Sequence, residues 1–310
     1  MNPMRNVLLA ASRSAWLRER ATRYPFVRRA VTRFMPGERL EDALQAAAGM
    51  RDAGMAAIVT CLGENVNSPA EAEGVRRHYD GIFGQARQAG LDLEVSVKLT
   101  HLGLDLGREH AERHVAALAR SAHAAFSRLW IDMEDTSYTD ATLDLYRALR
   151  PSCPALGVCL QSYLRRTPAD LDSLIPLGAA VRLVKGAYRE PPDRAYPRKA
   201  DVDAAFRRLA SRALSAEARA AGVWTVIGTH DPALVQDVQA MAGQMAVGKE
   251  GLEFDLLYGI RRDLQSRLVQ DGWRVRVLIS YGTQWFPWYM RRLAERPANL
   301  WFVAKGILAR

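Results

Sequence analysis

Polar side chains recur at the ends of apolar runs in this chain. Glu64 follows AAIVTCLG, Lys98 sits in LEVSVKLT, and Asp132 and Glu134 end RLWIDME. Gln161 lies in LGVCLQSY, Arg182 and Lys185 in AVRLVKGAY, and Thr229 and His230 in TVIGTHD. Tyr258 closes LEFDLLYG and Tyr281-Gly282 close RVRVLISYG. Any one of these could face water or a paired residue. Matched positions in so many runs fit that explanation poorly, because buried Lys, Asp and Arg are rare unless paired or functional. A desolvated lysine such as Lys98 or Lys185 has two available jobs: it forms a Schiff base or it pairs with an anion. Arg291 and Arg292 are adjacent on a helical stretch, so they point about 100° apart and can approach one carboxylate from two sides. Glu295 follows them by three to four residues and either balances that helix face or meets a cationic amine. Two arginines and a glutamate match an amino acid zwitterion.

The elements that must position these groups alternate. Eight strand-like runs, 56–63, 93–100, 128–134, 156–163, 180–188, 225–231, 252–259 and 274–282, are separated by helix-like runs. Such alternation implies parallel strands joined by crossover helices. Ser68-Pro69 and Thr167-Pro168 are helix starts for helices over 70–89 and 169–175. A long amphipathic helix is predicted over 201–222, stopped by Gly222. No strand leads into a dinucleotide-binding glycine fingerprint, and the polar residues gather toward strand C-terminal ends. Both points favour an α/β fold closed as a (βα)8 TIM barrel, where those ends converge on one mouth. Residues 1–52 read as an N-terminal helical segment packed on the barrel, which would occupy 53–310 within one domain.

Composition narrows the partners. The chain has 310 residues, 49% apolar and 25% charged, with a formal charge of +9. Five of its 43 basic residues are lysine, and the arginines are scattered among acidic residues without forming a block. That pattern predicts a solvated surface and no nucleic-acid partner, while leaving a loose attraction to an acidic membrane surface. Cys61, Cys153 and Cys159 fit no metal or redox spacing and read as reduced thiols of a cytosolic protein. No export signal and no apolar stretch of about 20 residues is present, so a cytoplasmic protein is expected.

Two motifs mislead. Residues 243–250 nearly spell a phosphate loop but end in Glu250 where the metal-binding hydroxyl belongs, and they precede a strand. His110 and His114 lie one helical turn apart without a third ligand, and an exposed helix face is expected. No metal is expected.

Seven blocks then resemble one family: VSVKLTHLGLDLG (96–108), LWIDMED (129–135), LQSYLRRT (160–167), VRLVKGAYRE (181–190), GTHD (228–231), EFDLLYGIRRDL (253–264) and YGTQWFPWYMRRLAER (281–296). They resemble proline dehydrogenase, in its monofunctional bacterial form, over about residues 55–305. The resemblance implies a distorted (βα)8 barrel that oxidises L-proline to Δ1-pyrroline-5-carboxylate, reduces a noncovalent FAD and hands the electrons to a membrane quinone. It implies that Arg291, Arg292 and Lys98 bind the substrate carboxylate, that Glu295 lies near the amine, and that Tyr188 and Leu257 contact the ring. It places Arg182 near the flavin N5 edge. It gives FAD binding to Asp132, Met133, Gln161, Arg182, Val184, Lys185, Gly186, Ala187, Thr229 and His230. Asp132 and Arg182 are the residues expected at the chemistry. Glu64 is expected to gate the site by pairing with Arg291. Work at the inner face of the membrane stands beside a purely cytoplasmic location. Leu278 departs from the family, where a tyrosine covers the proline ring, so Leu278 is expected to shape the ring pocket and the preference between proline and hydroxyproline. Arg189, Asp231 and Arg296-Pro297 depart as well, and none removes a clamp or flavin residue. The rival within enzymes is a Schiff-base aldolase or lyase using Lys98 or Lys185.

Overall fold

A computed structural model describes residues 31–285. Its eight strands are β1 (Ala56–Cys61), β2 (Leu93–Val97), β3 (Leu129–Ile131), β4 (Leu156–Gln161), β5 (Ala180–Val184), β6 (Trp224–Gly228), β7 (Leu252–Leu257) and β8 (Arg274–Tyr281). All neighbours are parallel, and β8 pairs with β1 from Ala56↔Arg276 to Cys61↔Tyr281, closing the barrel. Strand lengths run from three residues in β3 to eight in β8, so the cylinder is uneven. α1 (Leu40–Asp52) packs on β1 and β8 and is the described part of the expected N-terminal segment. Residues 1–30 lie outside the described residues.

The crossovers are α2 (Pro69–Gln88), α3 (Arg108–Ala124), α4 (Thr139–Leu149), α5 (Thr167–Leu174), α6 (Lys199–Ala213), α7 (Ala216–Ala220), α8 (Pro232–Gln244) and α9 (Arg262–Gln270). Helix starts follow local chemistry. Ser68 accepts a hydrogen bond from Glu71 N–H and Asp231 from Ala233 N–H, each just before a proline whose missing N–H costs nothing there. The single helix expected over 201–222 is instead two. Ser215 accepts from Ala218 N–H at 3.2 Å and so begins a new helix where the pattern alone continued the old one.

Side chains alternate along each strand between the helix layer and the barrel interior. Ile58, Trp130, Ala180 and Val226 fill the middle of the barrel, with Leu278 packed against them. Below them, at the strand N-terminal ends, Arg276 Nε donates to Glu253 at 2.8 Å and lies 3.5 Å from Glu94. Trp130 Nε1 also donates to Glu94, at 2.5 Å. This charged floor seals one end, so the open end is the one where the C-termini of the strands meet. Burying each large apolar side chain of the outer core contributes roughly 1.5–3 kcal/mol, and that layer holds the loops of the open end in place.

Candidate active site

The strand C-terminal ends surround a cavity of about 330 Å³. Arg182, an interior residue of β5, lines this cavity and is 3% exposed. Its Nη2 donates to Asp132 Oδ1 at 2.6 Å and to Ser96 Oγ at 2.7 Å. Its Nη1 donates to Asp255 Oδ2 at 3.1 Å, and Nε donates to Cys159 Sγ at 3.0 Å. The Trp130 ring lies 5.0 Å from the guanidinium carbon on the barrel side. Burial works against the positive charge, but the surrounding Cys159, Asp132 and Asp255 more than offset it, so Arg182 stays a cation at every accessible pH. Burial also pushes the Cys159 thiol up to about 12, which keeps it protonated and non-nucleophilic.

Two lysines mark the rim. Lys98 Nζ donates to Glu64 Oε2 at 2.6 Å. Lys185 Nζ lies 2.7 Å from Asp203 and 2.8 Å from Asp231, and Lys199 bridges the same two carboxylates from outside. Burial alone would raise the Asp231 carboxyl, yet the hydrogen bonds from Lys185 and Lys199 outweigh it and hold the group well below the usual carboxylate range. The loop after β5 is pinned to the β4 end: Tyr163 N–H donates to Lys185 O at 3.0 Å. Gly186 makes this possible. Its φ is +111°, and a Cβ there would stand 2.2 Å from the Tyr163 ring.

Lys98, Asp132, Met133, Gln161, Arg182, Val184, Lys185, Gly186, Ala187, Tyr188, His230, Leu257 and Leu278, all predicted from sequence, line this one cavity. Gln161 Nε2 donates to Glu134 O, and His230 Nε2 accepts from Leu257 N–H at 2.8 Å, which puts the ring proton on Nδ1. Glu64 sits at the rim on Lys98. Thr229 is buried, is not in the cavity lining, and accepts from Asp231 N–H. Arg291, Arg292 and Glu295 lie outside the described residues.

Some strand-end residues do not converge. Tyr258 and Tyr281 occupy the outward alternate of Leu257 and Ser280, and the Tyr281 hydroxyl bonds His78 Nε2 at 2.6 Å. Glu134 accepts from Thr100 N–H and Oγ1 in a buried structural contact. His114 is buried, contrary to the exposed helix face expected, because its Nδ1 donates to Leu102 O at 2.9 Å. The phosphate-loop lookalike is the turn between α8 and β7. Sequence reasoning also missed Cys159, Asp255, Ser96 and Ser280. Period-two alternation could have found them: Cys159 shares a face with Gln161, Asp255 with Leu257, Ser96 with Lys98, and Ser280 with Leu278.

The comparisons agree with this geometry. The family model described as proline dehydrogenase matches residues 43–305. A proline dehydrogenase of Deinococcus radiodurans is 39% identical over 285 residues, covering 89% of each chain. Proline dehydrogenase 1 of Bacillus subtilis is 35% identical over 305 residues, covering 98% of this chain and 99% of that one. Among solved structures, proline utilization A from Bdellovibrio bacteriovorus superposes with a TM-score of 0.80 at 25% identity. That match covers 87% of this chain, which spans only 33% of the longer protein. With a closed barrel, a buried arginine at its mouth and a family match over residues 43–305, the chain belongs to the proline dehydrogenase family.

Proposed function

We propose that this chain oxidises L-proline to Δ1-pyrroline-5-carboxylate, using a noncovalently held FAD and passing the electrons to a membrane quinone. The observation that carries the reading is Arg182, a permanent cation fixed by Asp132 at 2.6 Å on the inner wall of the mouth cavity. The donor set fits a flavin. A cation and amide donors stand beside an apolar wall of Met133, Val184, Ala187 and Leu257, which suits a flat ring with a polar edge. Asp132, Met133, Gln161, Arg182, Val184, Lys185, Gly186, Ala187, Thr229 and His230 would hold it. When bound, FAD supplies a two-electron acceptor.

The remaining work belongs to the protein. The substrate loses a hydride from the ring carbon beside nitrogen and a proton from nitrogen, leaving a C=N bond. Lys98, Tyr188, Leu257 and Leu278 would orient it, together with Arg291, Arg292 and Glu295. Fixed orientation of this kind can remove about 7–11 kcal/mol of barrier in the best cases. Arg182 would stabilise negative charge developing in the cavity, and its four partners keep it from reorganising. Glu64 would gate entry by exchanging its present partner Lys98 for Arg291. The Schiff-base reading is not favoured, because both lysines it needs are engaged by carboxylates, Lys98 by Glu64 and Lys185 by Asp203 and Asp231. No helix of the described residues is long and apolar enough to cross a membrane. The net charge of +9 would aid a peripheral contact with a quinone-bearing membrane surface at its cytoplasmic face.

The test is an absorbance spectrum of the purified protein under anaerobic conditions. The reading requires flavin bands that bleach on adding L-proline. Flavin bands that persist, or a colourless protein that still turns over its substrate, would refute it.

A further inference from the structure

We propose that Asp255 is a positioning residue that holds a proton in the oxidised enzyme and acts through Arg182, so that its ionisation sets how much positive charge the cavity presents. The proposal rests on the flavoenzyme reading above for its consequence, though not for the protonation itself.

Asp255 lies on the inner face of β7, 5% exposed. Its Oδ2 accepts from Arg182 at 3.1 Å, while its Oδ1 is buried and has no hydrogen-bond partner among the described residues. Asp132 is the stronger claimant on the same guanidinium. It accepts at 2.6 Å, takes a second hydrogen bond from Ser96 at 2.8 Å, and is one-quarter exposed, so water reaches it. The charges facing Asp255 from other strands and from its own do not favour a second anion. Glu253 stands two residues earlier on the same face, and Glu94 lies on β2; Arg276 is already shared between them. The lower group draws further cations from Arg128 and Arg274 at its rim. Among the described residues the upper group has Arg182 alone for two carboxyls, with Cys159 a neutral thiol beside it. With Asp255 protonated that group sums to zero; with it ionised the group around Arg182 becomes net negative. An unpartnered oxygen also costs less on a neutral carboxyl than on a carboxylate. Burial accordingly pushes the group up to about 7, with Arg182 pulling it down and Glu253 and Glu94 pushing it further up.

A carboxyl whose folded pKa is raised favours the folded state when protonated. Its contribution is full below the ordinary value of 3.8 and is lost as pH rises toward 7. Negative charge appearing beside Arg182 over the same range disfavours electrons arriving in the cavity. A tenfold change in the Asp255 acid constant on reduction appears as about 30 mV in a two-electron couple.

The experiment compares the wild-type holoprotein with Asp255→Asn, which keeps an acceptor for Arg182 and cannot ionise. Infrared difference spectra should show a protonated-carboxyl band in wild type at about pH 5 that titrates away by about pH 8 and is missing from the variant. The melting temperature of the variant relative to wild type should rise across the same range. The flavin midpoint potential should fall more steeply with pH in wild type than in the variant. A carboxyl band that survives the substitution, or its absence from wild type at pH 5, overturns the proposal. So do parallel potential-versus-pH lines. Should Asp255→Asn not fold, Asp255→Ser removes the same titrating group, and the wild-type band decides alone. A protein without flavin would defeat the functional reading and leave the infrared and melting results to judge Asp255.

Discussion

Replacing Asp132 with alanine removes the shortest contact of the most buried cation in the cavity. Arg182 loses a 2.6 Å acceptor, and Ser96 loses the acceptor of its hydroxyl. Breaking a fully buried ion pair costs roughly 3–5 kcal/mol, because the abandoned charge stays out of water. Two features reduce that figure here. Asp132 is one-quarter exposed, so water can enter the vacated space, and Asp255 still accepts from Arg182 at 3.1 Å. The expected loss is therefore about 2–3 kcal/mol. At about 2 °C per kcal/mol for a chain of this size, Asp132→Ala should melt about 4–6 °C below wild type. Circular dichroism melts at neutral pH measure this directly. Asp132→Asn keeps an acceptor and should lose only part of it. The alanine variant also throws the whole counter-charge onto Asp255, so Asp132→Ala combined with Asp255→Asn should lose more than the two single variants together. Catalytic efficiency with proline should drop by about 10²–10³, the usual effect of removing a fixed charge-stabilising donor from alignment. A melt within 1 °C of wild type would show that Asp132 does not hold Arg182.

Three further outcomes follow from the rim. Asp231→Asn should cost about 1.5–3 kcal/mol at pH 7 by weakening the bonds to Lys185 and Lys199; because the folded carboxyl is depressed, the difference should shrink as pH falls below the ordinary 3.8, and a gap that persists in acid melts contradicts the assignment. Gly186→Ala forces a side chain into φ +111° and onto the Tyr163 ring, so it should destabilise by about 1–3 kcal/mol and lower the flavin content per protein, as read by absorbance; an unaltered melt and flavin ratio would count against the tight loop. Glu64→Ala frees Lys98 from its 2.6 Å partner and removes the proposed gate, so KM for proline should rise with kcat less affected; an unchanged KM removes the gate from the account.

The barrel could be read from the chain because its signal is repetitive. Eight apolar runs begin within one residue of the eight observed strands, and parallel pairing follows from the helices between them. The split of the helix after β5 was not legible. Ser215 is polar on a polar face, and only its hydroxyl capping Ala218 distinguishes a new start from a continued turn. The cavity was partly legible. Charged residues stand out in apolar runs, which marks Lys98, Asp132, Arg182 and Lys185. Asp255 does not stand out at a strand end, because it lies inside the run and Tyr258, which points outward, stands nearer the end. From sequence Cys159 reads only as a reduced thiol; it is buried and protonated, and it is also one of the four groups that fix Arg182. Such contacts join β4, β5 and β7, and spacing along one strand carries no information about a partner on another.

The proposed reaction requires a ring system beside Arg182 that takes electrons from proline. An anaerobic titration measures this most directly, following flavin absorbance while trapping the product. In wild type one proline should bleach one flavin and yield one Δ1-pyrroline-5-carboxylate, and Arg182→Met should retain the barrel but bleach about a hundredfold or more slower. Bleaching at the wild-type rate in Arg182→Met, or proline that leaves the wild-type flavin oxidised, would contradict it.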